Sequence, residues 1–254
     1  MGLPMSFYDL REALAQPGCA ICRLKARCAE KSAEILLWEQ VNDPGVRHNV
    51  RQARGFCREH AWALVRWGAS LGVAILLRDV LQDALQDLKE VEFQPSSSLS
   101  LRRAQEALNR DRPSAATAEA VERLAPGAPC PICLQAETME RIYLSTLADH
   151  LLGEEGLLAS YQASEGLCFP HFRMVLGFVR EESVFEALVA AQKRIWQRLV
   201  DQLSESIRKS DYRFRDEPVG EEGGSWLRAI AAVAGGSPPY HKRWVHREET
   251  HHAG

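Results

Sequence analysis

The sequence predicts an all-α protein made of two duplicated three-helix modules, and three observations predict it. First, four residues of metal-ligand type occur twice, at one common displacement. Cys19, Cys22, Cys57 and His60 recur as Cys130, Cys133, Cys168 and His171, each shifted by 111 positions. Second, apolar residues recur at helical spacing through both copies. Third, no run of alternating β-branched residues bounded by hairpin turns occurs anywhere in the chain. A chance cluster of cysteines would not hold one offset at four positions, so the module is a duplication.

The elements follow in order. Residues 5–16 place Phe7, Leu10 and Leu14 on one face of a short helix, broken by Pro17-Gly18 just before Cys19. Their counterparts at 116–125 place Ala118, Val121 and Leu124, broken by Pro126-Gly127 before Cys130. A medium helix follows each Cys-x2-Cys, over 22–41 and 133–152, carrying Leu24, Ile35, Leu36 and Trp38, then Ile142, Leu147 and Leu151. Asn42-Asp43-Pro44-Gly45 ends the first with strong turn chemistry, and Gly153 with Gly156 ends the second. Gly55 and Gly166 stand two residues before the third cysteine and mark a tight turn into a long helix. The long helices are expected over 58–92 and 170–209, with Leu64, Val65, Leu71, Ile75 and Leu76, then Val175, Leu176, Val179, Leu188, Ile195 and Leu199 at helical spacing.

The modules therefore run 1–92 and 116–210, joined by a polar linker over 93–115 that contains Pro95-Ser96-Ser97-Ser98. Residues 211–254 turn polar and Gly-rich, which predicts a mostly flexible tail interrupted by a short apolar segment, 226–234. The two modules are expected to pack as one helical bundle, each stapled by its own metal site.

A chain of 254 residues with 46% hydrophobic and 26% charged content has the composition of an ordinary globular protein. The net charge of −3 supplies no global basic field for nucleic acid or anionic membranes. The start shows no basic region followed by an apolar run, so no signal peptide is expected. The most apolar window, Trp67 to Leu77, is far short of the roughly 20 residues that span a bilayer. It reads as a buried helix segment, and the protein as cytoplasmic, with no membrane partner.

Of seven cysteines, six lie in the repeated clusters. In a reducing compartment such clusters read as metal ligands rather than disulfides. Cys28 is left over, opposite Met139 in the second copy, and reads as a packing thiol. Each Cys-x2-Cys, 34 residues and Cys-x2-His array offers four tetrahedral N/S ligands, the mark of a closed structural zinc site. Two zinc ions per chain are expected, held by Cys19, Cys22, Cys57 and His60 and by Cys130, Cys133, Cys168 and His171. Helix N-termini at these pairs would stabilise the thiolates. Each copy carries all four ligand types, so each site is expected within its module. Pairing Cys19 and Cys22 with Cys168 and His171 is the arrangement the sequence leaves open.

Other chemistry fits less well. Cys130-Pro131-Ile132-Cys133 resembles a thiol-disulfide motif, but the first copy lacks the proline and no βαβ pattern surrounds either. Haem attachment would need His after the second cysteine, where Arg23 and Leu134 stand. An iron–sulfur cluster on three Cys and one His is possible and less common. No phosphate loop, nucleophile elbow or metalloprotease helix occurs, so the reading leans away from an enzyme. Glu59, beside His60, is replaced by Pro170 in the other copy.

Arg102, Arg103, Arg110 and Arg112, and a second group of Lys193, Arg194, Arg198, Arg208, Lys209, Arg213 and Arg215, are interleaved with Glu and Asp. They read as solvated helix faces rather than a nucleic-acid surface. The tail histidines His241, His246, His251 and His252 lack copied partners, as do His48 and His150.

The stretches Pro17-Gly18-Cys19-Ala20-Ile21-Cys22, Asn42-Asp43-Pro44-Gly45-Val46-Arg47 and Arg54-Gly55-Phe56-Cys57-Arg58-Glu59-His60-Ala61-Trp62 resemble a bacterial family catalogued as a domain of unknown function. Its members carry tandem Cys-x2-Cys and Gly-x-Cys-x2-His modules. Cys130 to Cys133 and Gly166 to His171 match its second half, so the resemblance covers most of residues 5–210. It implies metal binding through these motifs and carries no activity. The functional expectation is a non-catalytic zinc-binding protein presenting helical surfaces to a protein partner. A metal-linked thiol redox sensor or iron–sulfur protein, and a nucleic-acid-binding zinc protein, are the alternatives.

Overall fold

The computed structural model describes residues 2–89, 91, 117–214 and 217–236. Among the described residues the regular structure is helical throughout, as the periodicity predicts. The helices are α1 (Met5–Leu14), α2 (Ala20–Trp38), α3 (Pro44–Gln52), α4 (Arg58–Ala63), α5 (Ser70–Lys89), α6 (Ala118–Leu124), α7 (Pro131–Asp149), α8 (Leu158–Ala163), α9 (Phe169–Leu176), α10 (Glu182–Lys209) and α11 (Ser225–Ala234). No helix among the described residues is long and apolar enough to cross a membrane. The linker over 93–115, with its arginines, Arg215, and the tail beyond residue 236 with its four histidines lie outside the described residues. The apolar segment 226–234 falls on α11.

Local chemistry sets most boundaries. Asp43 caps α3, its Oδ1 accepting from the Val46 N–H at 2.8 Å, with Pro44 at the first helical position. The Asn-Asp-Pro-Gly run therefore does more than end α2: it starts another helix. Each predicted long helix is in fact two. α4 stops at Ala63, and the chain turns through Gly68 at φ +79° before α5 begins. In the other copy α9 stops at Leu176 and α10 begins at Glu182. Neither break carries a proline, which is why helical spacing ran across them unnoticed.

The Trp67–Leu77 window corrects a second expectation. Trp67 is 98% exposed and Leu71 is 71% exposed, while Leu76 is buried. Trp67 lies in the turn between helices and Leu71 on the outward face of α5, so apolar content alone misjudged their environment.

The chain forms two compact units, which do not coincide with the sequence repeats. Unit 1 comprises Met1–Arg27 with Glu137–Gly254, and unit 2 comprises Cys28–Ala136. The chain passes from one to the other within α2 and back within α7. In unit 1, Phe7, Leu10 and Leu14 of α1, with Ile21 and Leu24, pack with Leu144, Leu147 and Leu151 of α7 and with Tyr161, Val175 and Leu188. In unit 2, Leu36 and Leu37 of α2 join Val50, Leu64, Leu76 and Ile132. The copies have diverged in their opening helices: α1 buries four residues, whereas α6 buries none.

Candidate metal centres

The cysteines that lead each motif sit at helix starts. Cys57 and Cys168 are the N-cap residues of α4 and α9. Cys19 and Cys130 immediately precede α2 and α7. Each of the four carbonyls accepts the first intrahelical bond, from Arg23, Ala61, Leu134 and Phe172 at 2.8–3.2 Å. The thiol of Cys57 also faces the His60 N–H at 3.5 Å. All four pairs thus face the positive ends of helix dipoles, which favours thiolates.

Unit 1 gathers Cys19, Cys22, Cys168 and His171. The Nδ1 of His171 lies 3.4 Å from Cys19 Sγ, 3.2 Å from Cys22 Sγ and 3.1 Å from Cys168 Sγ. Cys22 and Cys168 are 3.7 Å apart, sulfur to sulfur. Unit 2 gathers Cys57, His60, Cys130 and Cys133. There His60 Nδ1 lies 3.3, 3.7 and 3.2 Å from Cys57, Cys130 and Cys133, and Cys57 is 3.6 Å from Cys133. Within each group all four candidate donor atoms fall within 4.8 Å of one another. A tetrahedral ion with bonds of about 2.3 Å to sulfur and about 2.0–2.1 Å to nitrogen has edges of roughly 3.6–3.8 Å. Eight of the observed separations, at 3.1–3.7 Å, come within about half an ångström of those edges, and the donor sets fit one ion each.

The eight residues come together as two foursomes, but not within the repeats. Each Cys-x2-Cys meets the Cys-x2-His of the other copy, which corrects the expected within-module sites and realises the alternative pairing. A helix of 19 residues carries the chain about 28 Å from its start. Even with nine residues spent on α3, the return is long enough to cover that distance, so reach does not decide the pairing. Packing does: Ile21 and Leu24, beside the first pair, share a core with Leu167 and Val175, and Ile132 shares another with Leu64. α8 occupies the stretch of the second copy that corresponds to α3.

The unit 1 site has a built surround that motif spacing missed. His171 and Cys168 are buried, and His171 Nε2 meets Glu140 Oε1 at 2.6 Å. Lys25 Nζ donates to both Glu140 oxygens, at 2.9 and 3.0 Å. A carboxylate on the far nitrogen of a ligating histidine fixes the ring and raises its basicity. The loop entering Cys168 is held by the buried Gln192. Its Oε1 accepts from the Leu167 N–H at 3.0 Å and from the Tyr161 hydroxyl, while its Nε2 donates to the Leu167 carbonyl at 3.2 Å. Gly166, at φ +73°, lies so close that a Cβ there would meet Gln192 at 2.8 Å. Beyond α11, the Gly236 N–H donates to Cys22 Sγ at 3.0 Å.

The donors of each cluster perturb one another's ionisation, most strongly in unit 1. Burial opposes charge on His171, yet hydrogen bonds with Cys168, Cys19 and Glu140 outweigh it and hold its pKa up to about 11. Hydrogen bonds from Cys168 and Cys19 push the Cys22 thiol far up, while those from Cys168 and Cys22 pull Cys19 well down. Burial resists ionisation of Glu140, but His171 and Lys25 lower it overall. In unit 2, burial and the neighbouring Cys57 push the Cys133 thiol up to about 12. An ion would replace the protons these groups share.

Glu140 was legible in one respect. It follows Cys133 by seven positions, two helical turns, and so shares its face of α7. Its counterpart in the first copy is Ala29, and the counterpart of Lys25 is Ala136. A charged residue in one copy and alanine in the other is a signal the motif spacing does not carry. Cys28 stays apart from both groups, 3.9 Å from the Gln135 carbonyl. His150 packs edge-on against Phe7.

The chain belongs to the Family of unknown function (DUF6062), whose model matches residues 8–239. The tandem motifs that suggested such a family are thus borne out. The chain is also similar to an uncharacterized 23.9 kDa protein in xynA 3'region of Caldicellulosiruptor sp. (strain Rt8B.4). The two are 22% identical over 225 residues, covering 88% of this chain and 98% of that relative. No solved structure matches the chain significantly.

Proposed function

We propose that this is a non-catalytic, cytoplasmic zinc protein, holding two structural zinc ions and presenting helical surfaces to a protein partner. The observation that carries the reading is the closure of each site by four donors from two distant helix pairs. Catalytic zinc keeps an open coordination position, and three thiolates with one imidazole leave none. The Cys3His set favours zinc over the harder metals. Ligands contributed from chain segments so far apart give each ion a tethering role that only the folded chain can satisfy.

Exposed apolar side chains support the partner. Trp38, Trp62, Val65, Trp67 and Leu71 are all more than half exposed in unit 2, and Trp226, Ile230 and Val233 recur at helical spacing along α11 in unit 1. The nucleic-acid reading finds less support. Arg208 is paired with Glu205 and Glu217, Lys209 with Glu222 and Arg213 with Asp211, so those cations already have carboxylate partners.

The test is elemental analysis with an absorption spectrum, on untagged protein purified without added metal. Two zinc per chain with no visible absorption is the expected result. Iron with a charge-transfer band would replace this reading with electron transfer or redox sensing.

A further inference from the structure

We propose that the two sites differ in permanence: the unit 1 ion is retained, and the unit 2 ion is the exchangeable one. The proposal rests on the zinc reading and deepens it, because it assigns regulation to one site of the pair. Exchange of a thiolate-bound ion requires an incoming ligand or proton to reach a sulfur or the metal, while one protein ligand swings away. Whatever shields the sulfurs, or fixes the ligands, slows it.

Burial differs between the two sites, and two further contacts slow exchange in unit 1. Cys168 and His171 are buried there, at 1% and 6% exposure, whereas in unit 2 Cys130 is the one buried ligand and Cys57, His60 and Cys133 are half-buried. The His171 ring is fixed from behind by Glu140, itself buried and held by Lys25. Backbone covers the sulfurs from the third side. A Cβ on Gly235 would lie 3.5 Å from Cys22 Sγ and 3.7 Å from Cys168 Sγ, and one on Gly236 would lie 3.0 Å from Cys22 Cβ. Gly235 adopts φ +92°, a conformation that favours glycine, and this lets the chain leave α11 against the site. The Gly236 N–H then donates to Cys22 Sγ, occupying the approach to that sulfur.

The consequence falls on α4. It is six residues long, too short to persist alone, and it is anchored by two ligands, Cys57 at its cap and His60 within it. Trp62 lies two residues beyond His60 and is 73% exposed. Loss of the unit 2 ion therefore releases α4 and changes how Trp62 is displayed, while unit 1 keeps its fold. The exchangeable site thereby makes the exposed tryptophans of unit 2 responsive to zinc supply or to a competing thiol.

The experiment uses the full zinc-loaded chain, with excess of the chromophoric chelator 4-(2-pyridylazo)resorcinol, and follows zinc release and tryptophan fluorescence together. Expected are two phases of one equivalent each, at least about tenfold apart in rate, with the fluorescence change in the fast phase. Glu140→Gln should speed the slow phase about tenfold and leave the fast one unchanged. Cys133→Ser should lack the fast phase. Two equivalents leaving together, or acceleration of the fast phase by Glu140→Gln, overturns the proposal. The Glu140→Gln arm decides the assignment even where Cys133→Ser fails to fold. A chain that holds no zinc and takes up none overturns the zinc reading itself, and is told apart by its metal content before any chelator is added.

Discussion

The two Cys3His groups descend from one repeated motif, yet unit 1 and unit 2 surround them differently. Each has its thiols at helix starts and a glycine turn before its third cysteine, Gly166 at φ +73° and Gly55 at φ +99°. Around those shared parts, unit 1 adds Glu140, Lys25 and Gln192, whose counterparts are Ala29, Ala136 and Leu81. Leu81 is 64% exposed, so nothing polar replaces Gln192 at that position. Unit 2 holds its turn by other means: Arg54, at φ +53°, pairs with Asp87 and donates to the Arg123 carbonyl. The difference teaches that a ligand motif specifies the donors, while the residues around them set how firmly those donors are held.

The largest test of this comparison removes one ligand per unit. Cys22→Ser should cost one zinc equivalent and much of the helicity of unit 1, and Cys133→Ser one equivalent with the smaller helical loss of α4 in unit 2. Apparent binding energies of structural zinc run about 10–16 kcal/mol, as large as the whole stability of a typical domain, about 5–15 kcal/mol. Metal analysis with circular dichroism reads both. A variant with unaltered metal content and melting would remove that residue from the ligand set.

A smaller effect is expected from Gln192→Ala. It leaves the Leu167 N–H and carbonyl and the Tyr161 hydroxyl short of a buried partner and opens a cavity, at about 2–4 kcal/mol. Denaturant unfolding should show the loss. The matched change Leu81→Ala in unit 2 should cost under about 1 kcal/mol, because its side chain is exposed. Equal losses would break the contrast between the two turns.

Next comes an ion pair peculiar to unit 2. Arg47 Nε donates to the buried Asp79 at 2.8 Å and, with a lesser contribution from Arg78, holds its pKa below the usual carboxylate value. A lowered folded pKa gives stability that is present above the unfolded value, about 3.9, and lost as pH falls through the folded one. Arg47→Ala should therefore lower stability by about 1–3 kcal/mol near neutral pH, and the gap should narrow below about pH 4. A gap independent of pH would assign the loss to packing.

The smallest effect belongs to the exposed charges of α10. Glu205→Ala leaves Arg208 paired with Glu217, and no measurable change in Tm is expected. A clear change would mean that this face is part of something larger than a solvated helix.

Much of the site was legible before any coordinates. The common offset identified all eight residues that the structure gathers, and Pro-Gly and Gly-x-Cys marked the turns beside them. Helix class followed from spacings such as Phe7, Leu10 and Leu14. The breaks at Gly68 and Gly177 were not legible, because glycine is tolerated within helices and ends one only where packing turns the chain. The exposure of Trp67 and Leu71 was hidden for a related reason: periodicity says which residues share a face, and not what covers that face.

The sequence by itself determined the helical class, the duplicated motif, the eight Cys and His residues that gather into two groups and the places of their leading cysteines at helix starts. These are local properties, set within a few residues by spacing, capping and turn chemistry. Which Cys-x2-Cys met which Cys-x2-His was decided only in the tertiary structure. Cys22 and Cys168 are 146 positions apart, against 34 residues between Cys22 and Cys57, or about two doublings of the closed loop. That difference costs only about 1.2 kcal/mol, less than the burial of a single large apolar side chain. Chain proximity was thus too weak to decide the pairing. Core packing decided it instead, with Ile21 and Leu24 placed beside Leu167 and Val175, and Ile132 beside Leu64, and with it Glu140 and Gly236 came to one site alone.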